Sequence, residues 1–266
     1  MRARAIQTGD HIGVSFAASA SFAITTASFT HQALDAGGQV IVFPGELTGD
    51  STEQISAGNL RLRQASRTGQ LSFADSRAIQ LATGRFDPDH LNQIYAAAIV
   101  QALAAGYTGL WVSVDMSWAQ PGVVETQALT TFEAEAFPLF RDRTLTAICH
   151  YDTRIFPESA AKDACAAHPA SLRAATMRFR YQDRTLLLSG DTDLSNRIAF
   201  ETIIGTLADG DTVDLAGMGF LDISAVASLA RVAHTRPRLR IMAGTGQREL
   251  LTVAGVPPGQ MVASPI

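Results

Sequence analysis

"TVDLAGMGFLDISAVASLARVA", residues 212–233, is the stretch from which the fold of the second half of this chain is read. It runs as a β-strand that passes directly into a helix, with Ile223, Val226, Ala230 and Ala233 on one helical side. Ser224 stands at the changeover, after Asp222, in an otherwise oily segment. Helix cap, nucleophile and acceptor of phosphate are three open readings of that serine. Upstream, "MRFRYQD" and "TLLLSGDTD" read as adjacent strands with a turn at Gln182-Asp183. Phe200, Ile203, Ile204 and Leu207 then recur at i, i+3, i+4 and i+7, the signature of an amphipathic helix. Downstream, "LRIMAG" is a strand, followed by a short helix around 249–253. The order ββαβαβα predicts a small α/β domain with a mixed sheet over 176–266.

The first two-thirds also alternate strands and helices. "IGVSF" (12–16), "QVIVF" (39–43), "LSF" (71–73), "LWVSV" (110–114) and "LTAICHY" (145–151) read as strands. Phe22, Thr26, Phe29 and Ala33 share a helical face that Gly37-Gly38 stops. Leu91, Ile94, Tyr95, Ala98 and Ala102 mark another helix, ending at Gly106, and 129–139 reads as a third. This alternation predicts right-handed crossovers and a parallel sheet covered on both faces. Asp75, Asp115 and Asp152 follow strands. They either line a cleft beyond the strand ends or start turns and cap helices. "HPASLRAA" (168–175) carries a proline and little periodicity, so the expected division is a domain over 1–168, a linker over 169–175 and a second domain over 176–266.

Composition narrows the classes. With 47% hydrophobic and 17% charged residues in 266, the chain has material for two packed cores. A net charge of −4 and no basic stripe give no reason to expect nucleic acid. No apolar run is long enough to span a membrane, and the broken N-terminal run makes a poor signal peptide. Two cysteines, Cys149 and Cys165, form neither a disulfide framework nor a zinc knuckle. A cytoplasmic protein is expected.

"LLLSGDTDLSNRIAFETII", "DTVDLAGMGFLDISAVASLARVA" and "LRIMAGTGQRELLTVAGV" together resemble a STAS domain, the fold of bacterial anti-sigma-factor antagonists. The resemblance implies that Ser224 is the residue a partner kinase phosphorylates, with Asp193 beside it. It further implies a partner-binding surface of Asp193, Asp222, Ile223 and Ala225. Ile223 replaces the usual second serine and Ala225 the usual glycine. A phosphate at a helix start gains backbone N–H donors, yet adds nearly two negative charges beside Asp222 and Asp193.

"DHIGVSF", "ALDAGGQVIVF", "GRFDPD", "VDMSWA" and "AICHYD" resemble the MEDS family, sensory domains of methanogens, methylotrophs and a dichloromethane-responsive repressor. That resemblance implies small-molecule sensing on a RecA/KaiC-like parallel sheet flanked by helices. MEDS followed by STAS is an arrangement associated with actinobacterial regulators. A working phosphate loop needs G-x-x-x-x-G-K-[ST] after the first strand. "AASASF" (17–22) stands there instead, and "PGELTGDST" (44–52) only mimics the rhythm, with Asp50 in place of lysine. His11, Asp115, Met116, Trp118, Cys149, His150 and Tyr151 are the candidate ligand-binding residues. Met116 and Trp118 would form an apolar, polarizable wall, or else fill the core. His11, Cys149 and His150 are metal ligands in type, but neighbouring strand residues point to opposite faces, so no metal site and no cofactor are expected. No G-x-S-x-G elbow supports a hydrolase.

The expected function is a non-enzymatic regulator that works by partner switching. Its partner is an anti-sigma factor or kinase-like protein, and it is gated by Ser224 phosphorylation and by a small apolar ligand; a homodimer is compatible with this. An enzyme with an unrecognised cofactor on a RecA- or Rossmann-like sheet, and a scaffold in a multi-protein complex, are the alternatives.

Overall fold

A computed structural model describes residues 5–48, 50 and 58–264. The chain divides into two compact units, Met1–Cys165 and Ala166–Ile266. Within the 44–52 imitation of a phosphate loop, Gly49, Ser51 and Thr52 lie outside the described residues.

The first unit runs β1 (His11–Phe16), α1 (Ser19–Asp35), β2 (Gln39–Phe43), α2 (Leu60–Arg67), β3 (Leu71–Phe73), α3 (Ser76–Gln80), α4 (Pro88–Ala104), β4 (Leu110–Asp115), α5 (Thr126–Glu135), β5 (Leu145–Asp152) and α6 (Glu158–Ala166). The sheet order is β1-β5-β4-β2-β3, and every pairing is parallel. All residues of β4 and β5 are buried, as expected for central strands covered on both faces. The stripe of Phe22, Thr26, Phe29 and Ala33 on α1 is buried as its spacing predicts. Asp87 caps α4 by accepting from the His90 N–H, with Pro88 in the first turn. The helix expected over 129–139 is shorter: α5 stops at Glu135, and Phe137–Phe140 forms a 3-10 turn. Pro138 is the physical reason, since it lacks the N–H that would continue the ladder.

Sequence order reverses between β2 and β4. From β2 the chain steps outward to β3, and from β4 it steps the other way to β5. In open parallel sheets the crevice beyond the strand ends at such a point is where ligands bind.

The second unit runs β6 (Met177–Gln182), β7 (Thr185–Thr192), α7 (Arg197–Gly205), β8 (Thr212–Leu221), α8 (Ile223–Thr235), β9 (Arg240–Ala243), α9 (Thr245–Val253) and β10 (Met261–Ala263). Its sheet order is β10-β9-β8-β7-β6, antiparallel between β6 and β7 and parallel elsewhere. The mixed sheet is therefore as expected, with β10 an edge strand too short to announce itself. Asp183 takes φ 51° in the hairpin turn, a conformation Asp tolerates better than most residues. Residues 169–175 are not a free linker. Ala170 is buried, the Met177 N–H donates to the Pro169 carbonyl, and Asn196 Nδ2 donates to the same oxygen at 3.3 Å. Backbone hydrogen bonding, which composition does not reveal, incorporates the segment into the second unit.

Among the described residues, no helix is long and apolar enough to cross a membrane.

Candidate functional site

The first unit holds an inner cavity of about 40 Å³ against one face of its sheet, room for roughly three water-sized bodies. Val112, Val114, Met116, Trp118, Phe132 and Phe140 form most of its apolar wall. Parallel register puts Cys149 of β5 beside Gly13 of β1 and Val114 of β4, and alternation sends its side chain to the cavity face. Met116 and Trp118 arrive on the 3-10 turn Met116–Ala119, which Asp115 caps by accepting from the Ser117 N–H at 2.9 Å.

The polar lining is His11, Glu133 and Cys149, together with Gln80 and Tyr95, which pair with each other. His11 Nε2 lies 3.2 Å from Glu133 Oε2. Cys149 Sγ lies 3.8 Å from His11 Nε2 and 3.9 Å from Glu133 Oε2. Tyr151 donates its hydroxyl to Glu133 Oε1 at 3.0 Å. The His11 ring stacks on Phe140 with centroids 4.3 Å apart. Burial pushes the Cys149 thiol well above its ordinary pKa, and the Glu133 carboxylate pushes it further. Burial raises Tyr151 in the same way, with Glu133 the next cause.

Of the seven residues expected to bind a ligand, His11, Met116, Trp118 and Cys149 line this cavity. Tyr151 acts one step behind it, through Glu133. The other two are corrected. His150 faces away, as strand alternation requires. Its Nε2 pairs with Ser113 Oγ at 3.1 Å, Ser113 pairs with Thr26 Oγ1 at 2.9 Å, and its ring meets Phe22 edge-on. Burial lowers the His150 pKa to about 3, so it stays neutral. Asp115 is a buried cap that accepts from Thr48 Oγ1 at 2.7 Å, and burial raises its pKa. The sequence reading missed Glu133, although "LTTFEAE" carries the signal: Glu133 sits four residues after Leu129, on the buried stripe of α5.

A second, wider cleft of about 650 Å³ opens beyond the strand ends at the switch point between β2 and β4. Glu46, Asp75, Ser76, Arg77, Ser117 and Gln120 supply its polar side chains, and Trp118 borders it as well as the inner cavity. Only Asp75 of the three strand-end aspartates lines it, and Asp75 also caps α3 through the Ala78 N–H. Asp152 instead pairs with the Arg154 guanidinium at 2.5 Å. Two residues, Ala17 and Ala18, join β1 to α1, leaving no loop there to wrap a phosphate.

In the second unit, Ser224 sits in the first turn of α8, as expected, but the cap is Asp222. Asp222 Oδ1 accepts from the Ala225 N–H at 2.8 Å, and Ser224 donates its hydroxyl to both Asp222 oxygens at 2.8 Å. Asp222 lies beyond the end of β8 and its N–H reaches the Thr192 carbonyl, so the loop after β7 runs alongside. Asp193 opens that loop and accepts from the Ser195 N–H at 2.7 Å and the Ser195 hydroxyl at 2.6 Å. Ile223, the first residue of α8, is 81% exposed, unlike Val226, Ala230 and Ala233 with which its spacing groups it. Ala225 is corrected as a contact residue, because its side chain is buried at 1% exposure. Leu194 and Phe220 are exposed at 65% and 55%.

Residues 10–169 match the family model described as MEDS, the methanogen/methylotroph, DcmR sensory domain. No curated protein matches the chain. Among solved structures, the chain is similar to the flagellar accessory protein FlaH from Methanocaldococcus jannaschii. That likeness has 12% identity and a TM-score of 0.42, over 70% of this chain and 79% of that one.

Proposed function

The chain belongs to the MEDS family of sensory domains, and from that premise we propose that it is a sensory regulator whose first unit holds a small apolar ligand. The observation that carries this reading is the inner cavity, lined mainly by apolar side chains with a few polar groups, the usual make-up of a small-molecule site. Its size restricts the ligand to a few heavy atoms. We read the sheet as a RecA/KaiC relative without phosphate machinery, which the two-residue join after β1 supports.

The second unit is proposed to deliver the output as a STAS domain, by binding an anti-sigma factor or a kinase-like partner in the cytoplasm. The sequence resemblance over 176–266 supports this. So does the exposure of Leu194, Phe220 and Ile223 at the same end of the sheet as Ser224. A phosphate on Ser224 would put about two charges where the hydroxyl now meets Asp222. Repulsion there would release an acidic or apolar partner surface.

Two measurements test the proposal on the full chain. Chloromethanes, short alcohols and short thiols are titrated while Trp fluorescence and melting temperature are followed. At least one class is expected to quench Trp118, and Trp118→Phe to abolish that signal. The sensory reading falls if no compound changes either readout. Binding of the cognate anti-sigma factor is compared for wild type, Ser224→Ala and Ser224→Asp; equal affinities for all three refute the switch.

A further inference from the structure

The cluster of His11, Glu133 and Cys149 that lines the inner cavity has the dimensions of a metal site. A tetrahedral zinc ion has bonds of about 2.0–2.1 Å to nitrogen, about 2.0–2.2 Å to oxygen and about 2.3 Å to sulfur. Those lengths put its nitrogen and oxygen donors about 3.3–3.5 Å apart, and its sulfur about 3.5–3.7 Å from either. The three edges here are 3.2, 3.8 and 3.9 Å, between His11 Nε2, Glu133 Oε2 and Cys149 Sγ. Movements of a few tenths of an ångström would close the triangle on one ion.

A second geometric point separates a metal site from a nucleophilic relay. In a Cys-His-acid relay the thiol and the carboxylate use opposite ring nitrogens of the histidine. In this chain both approach the same atom, Nε2. A thiol and a carboxylate that converge on one ring nitrogen, and also face each other, suit a shared cation better than a proton relay. The donors also come from β1, α5 and β5 rather than from loops, so the site is preorganised. Tyr151 occupies Glu133 Oε1 and leaves Oε2 facing His11 and Cys149, the kind of outer hydrogen bond that orients a metal-bound carboxylate.

We propose that His11 Nε2, Glu133 Oε2 and Cys149 Sγ bind one zinc-class divalent cation. Imidazole and thiolate select a borderline-soft ion over magnesium or calcium. On binding, the Cys149 thiol loses its proton to solvent and a sulfur–metal bond forms. The two anionic donors then balance the dication, so no net charge is buried. The site stands whether or not an apolar ligand enters the cavity.

The test uses the full chain, stripped with a chelator and titrated with Co²⁺ as the probe. The expected result is a thiolate-to-cobalt charge-transfer band and d–d bands of tetrahedral intensity, saturating at one Co²⁺ per chain and bleached by Zn²⁺. Cys149→Ser is expected to abolish the charge-transfer band, and Cys165→Ala to retain it. Glu133→Gln and His11→Gln should weaken Co²⁺ binding at least tenfold. Tyr151→Phe should weaken it about 10–100-fold while leaving the charge-transfer band in place. Absence of that band in folded wild type overturns the proposal, as does a band unchanged in Cys149→Ser. The wild-type spectrum and the Cys165→Ala control do not depend on the other variants folding. A cobalt site without any fluorescence response to apolar compounds would sink the sensory reading alone, and the reverse result would sink the metal site alone.

Discussion

Replacing Ser224 with Glu should loosen the start of α8 through one identifiable neighbour, Asp222. The serine hydroxyl donates to both Asp222 oxygens at 2.8 Å, while Asp222 caps the helix through the Ala225 N–H. Glutamate removes that donor and sets a second carboxylate a few ångströms from the first. Two unit charges at 4 Å repel by about 1 kcal/mol in water and about 4 kcal/mol at the effective dielectric of a protein surface. Favourable placement at a helix N-terminus offsets about 0.3–1 kcal/mol of this. The repulsion that remains is under about 4 kcal/mol, and its mid-range value of about 2 kcal/mol is roughly a thirtyfold change in local opening. Asp222→Asn keeps a good cap but no charge, so Ser224→Glu in that background should lose most of its effect. Hydrogen exchange of peptides covering 223–235, measured for the four members of the cycle, reads the coupling directly. The coupling should shrink in high salt, as screened charges require. A coupling below about 0.5 kcal/mol, the usual error of additivity, would refute the account and with it the electrostatic basis of the proposed phosphate switch.

Three further outcomes follow from single contacts. Ser113→Ala strands the His150 Nε2 and the Thr26 hydroxyl that it now joins, and should cost about 1–3 kcal/mol in urea unfolding followed by Trp fluorescence; a cost under about 0.5 kcal/mol would contradict the buried network. Gly45→Ala would bring a methyl within 2.6 Å of Asp115 Oδ2 and closer still to Ser117 Oγ, so it should destabilise by about 1–3 kcal/mol, read as a lower melting temperature. Asp209 accepts from the Arg238 side chain and backbone, which hold its pKa below the ordinary carboxylate value. A depressed carboxylate contributes stability above its unfolded pKa, and that contribution fades as pH falls through the folded value. Arg238→Ala should therefore raise the Asp209 titration seen by carboxyl NMR, and an unchanged midpoint would refute the assignment.

What the sequence determined by itself is the alternation of elements, because periodicity is a local property. The α1 stripe of Phe22, Thr26, Phe29 and Ala33, the wholly buried β5 and the strand-to-helix passage at 212–233 were all legible in it. So was the opposition of Cys149 and His150, which follows from the two-residue repeat of a strand. Tertiary structure alone decided which side chains meet. His11, Glu133 and Cys149 are far apart in the chain, and only parallel pairing of β1 with β5, with α5 laid against that face, brings them to one point. Glu133 was missed because a carboxylate on an apolar helix face has no meaning until its partners are known. Ser224 shows the same division at short range. The sequence placed it in the first turn of a helix, but folding gave the cap to Asp222 and made the serine its donor. The reason is physical: periodicity sets which way a residue faces, and only the packed chain sets what it faces.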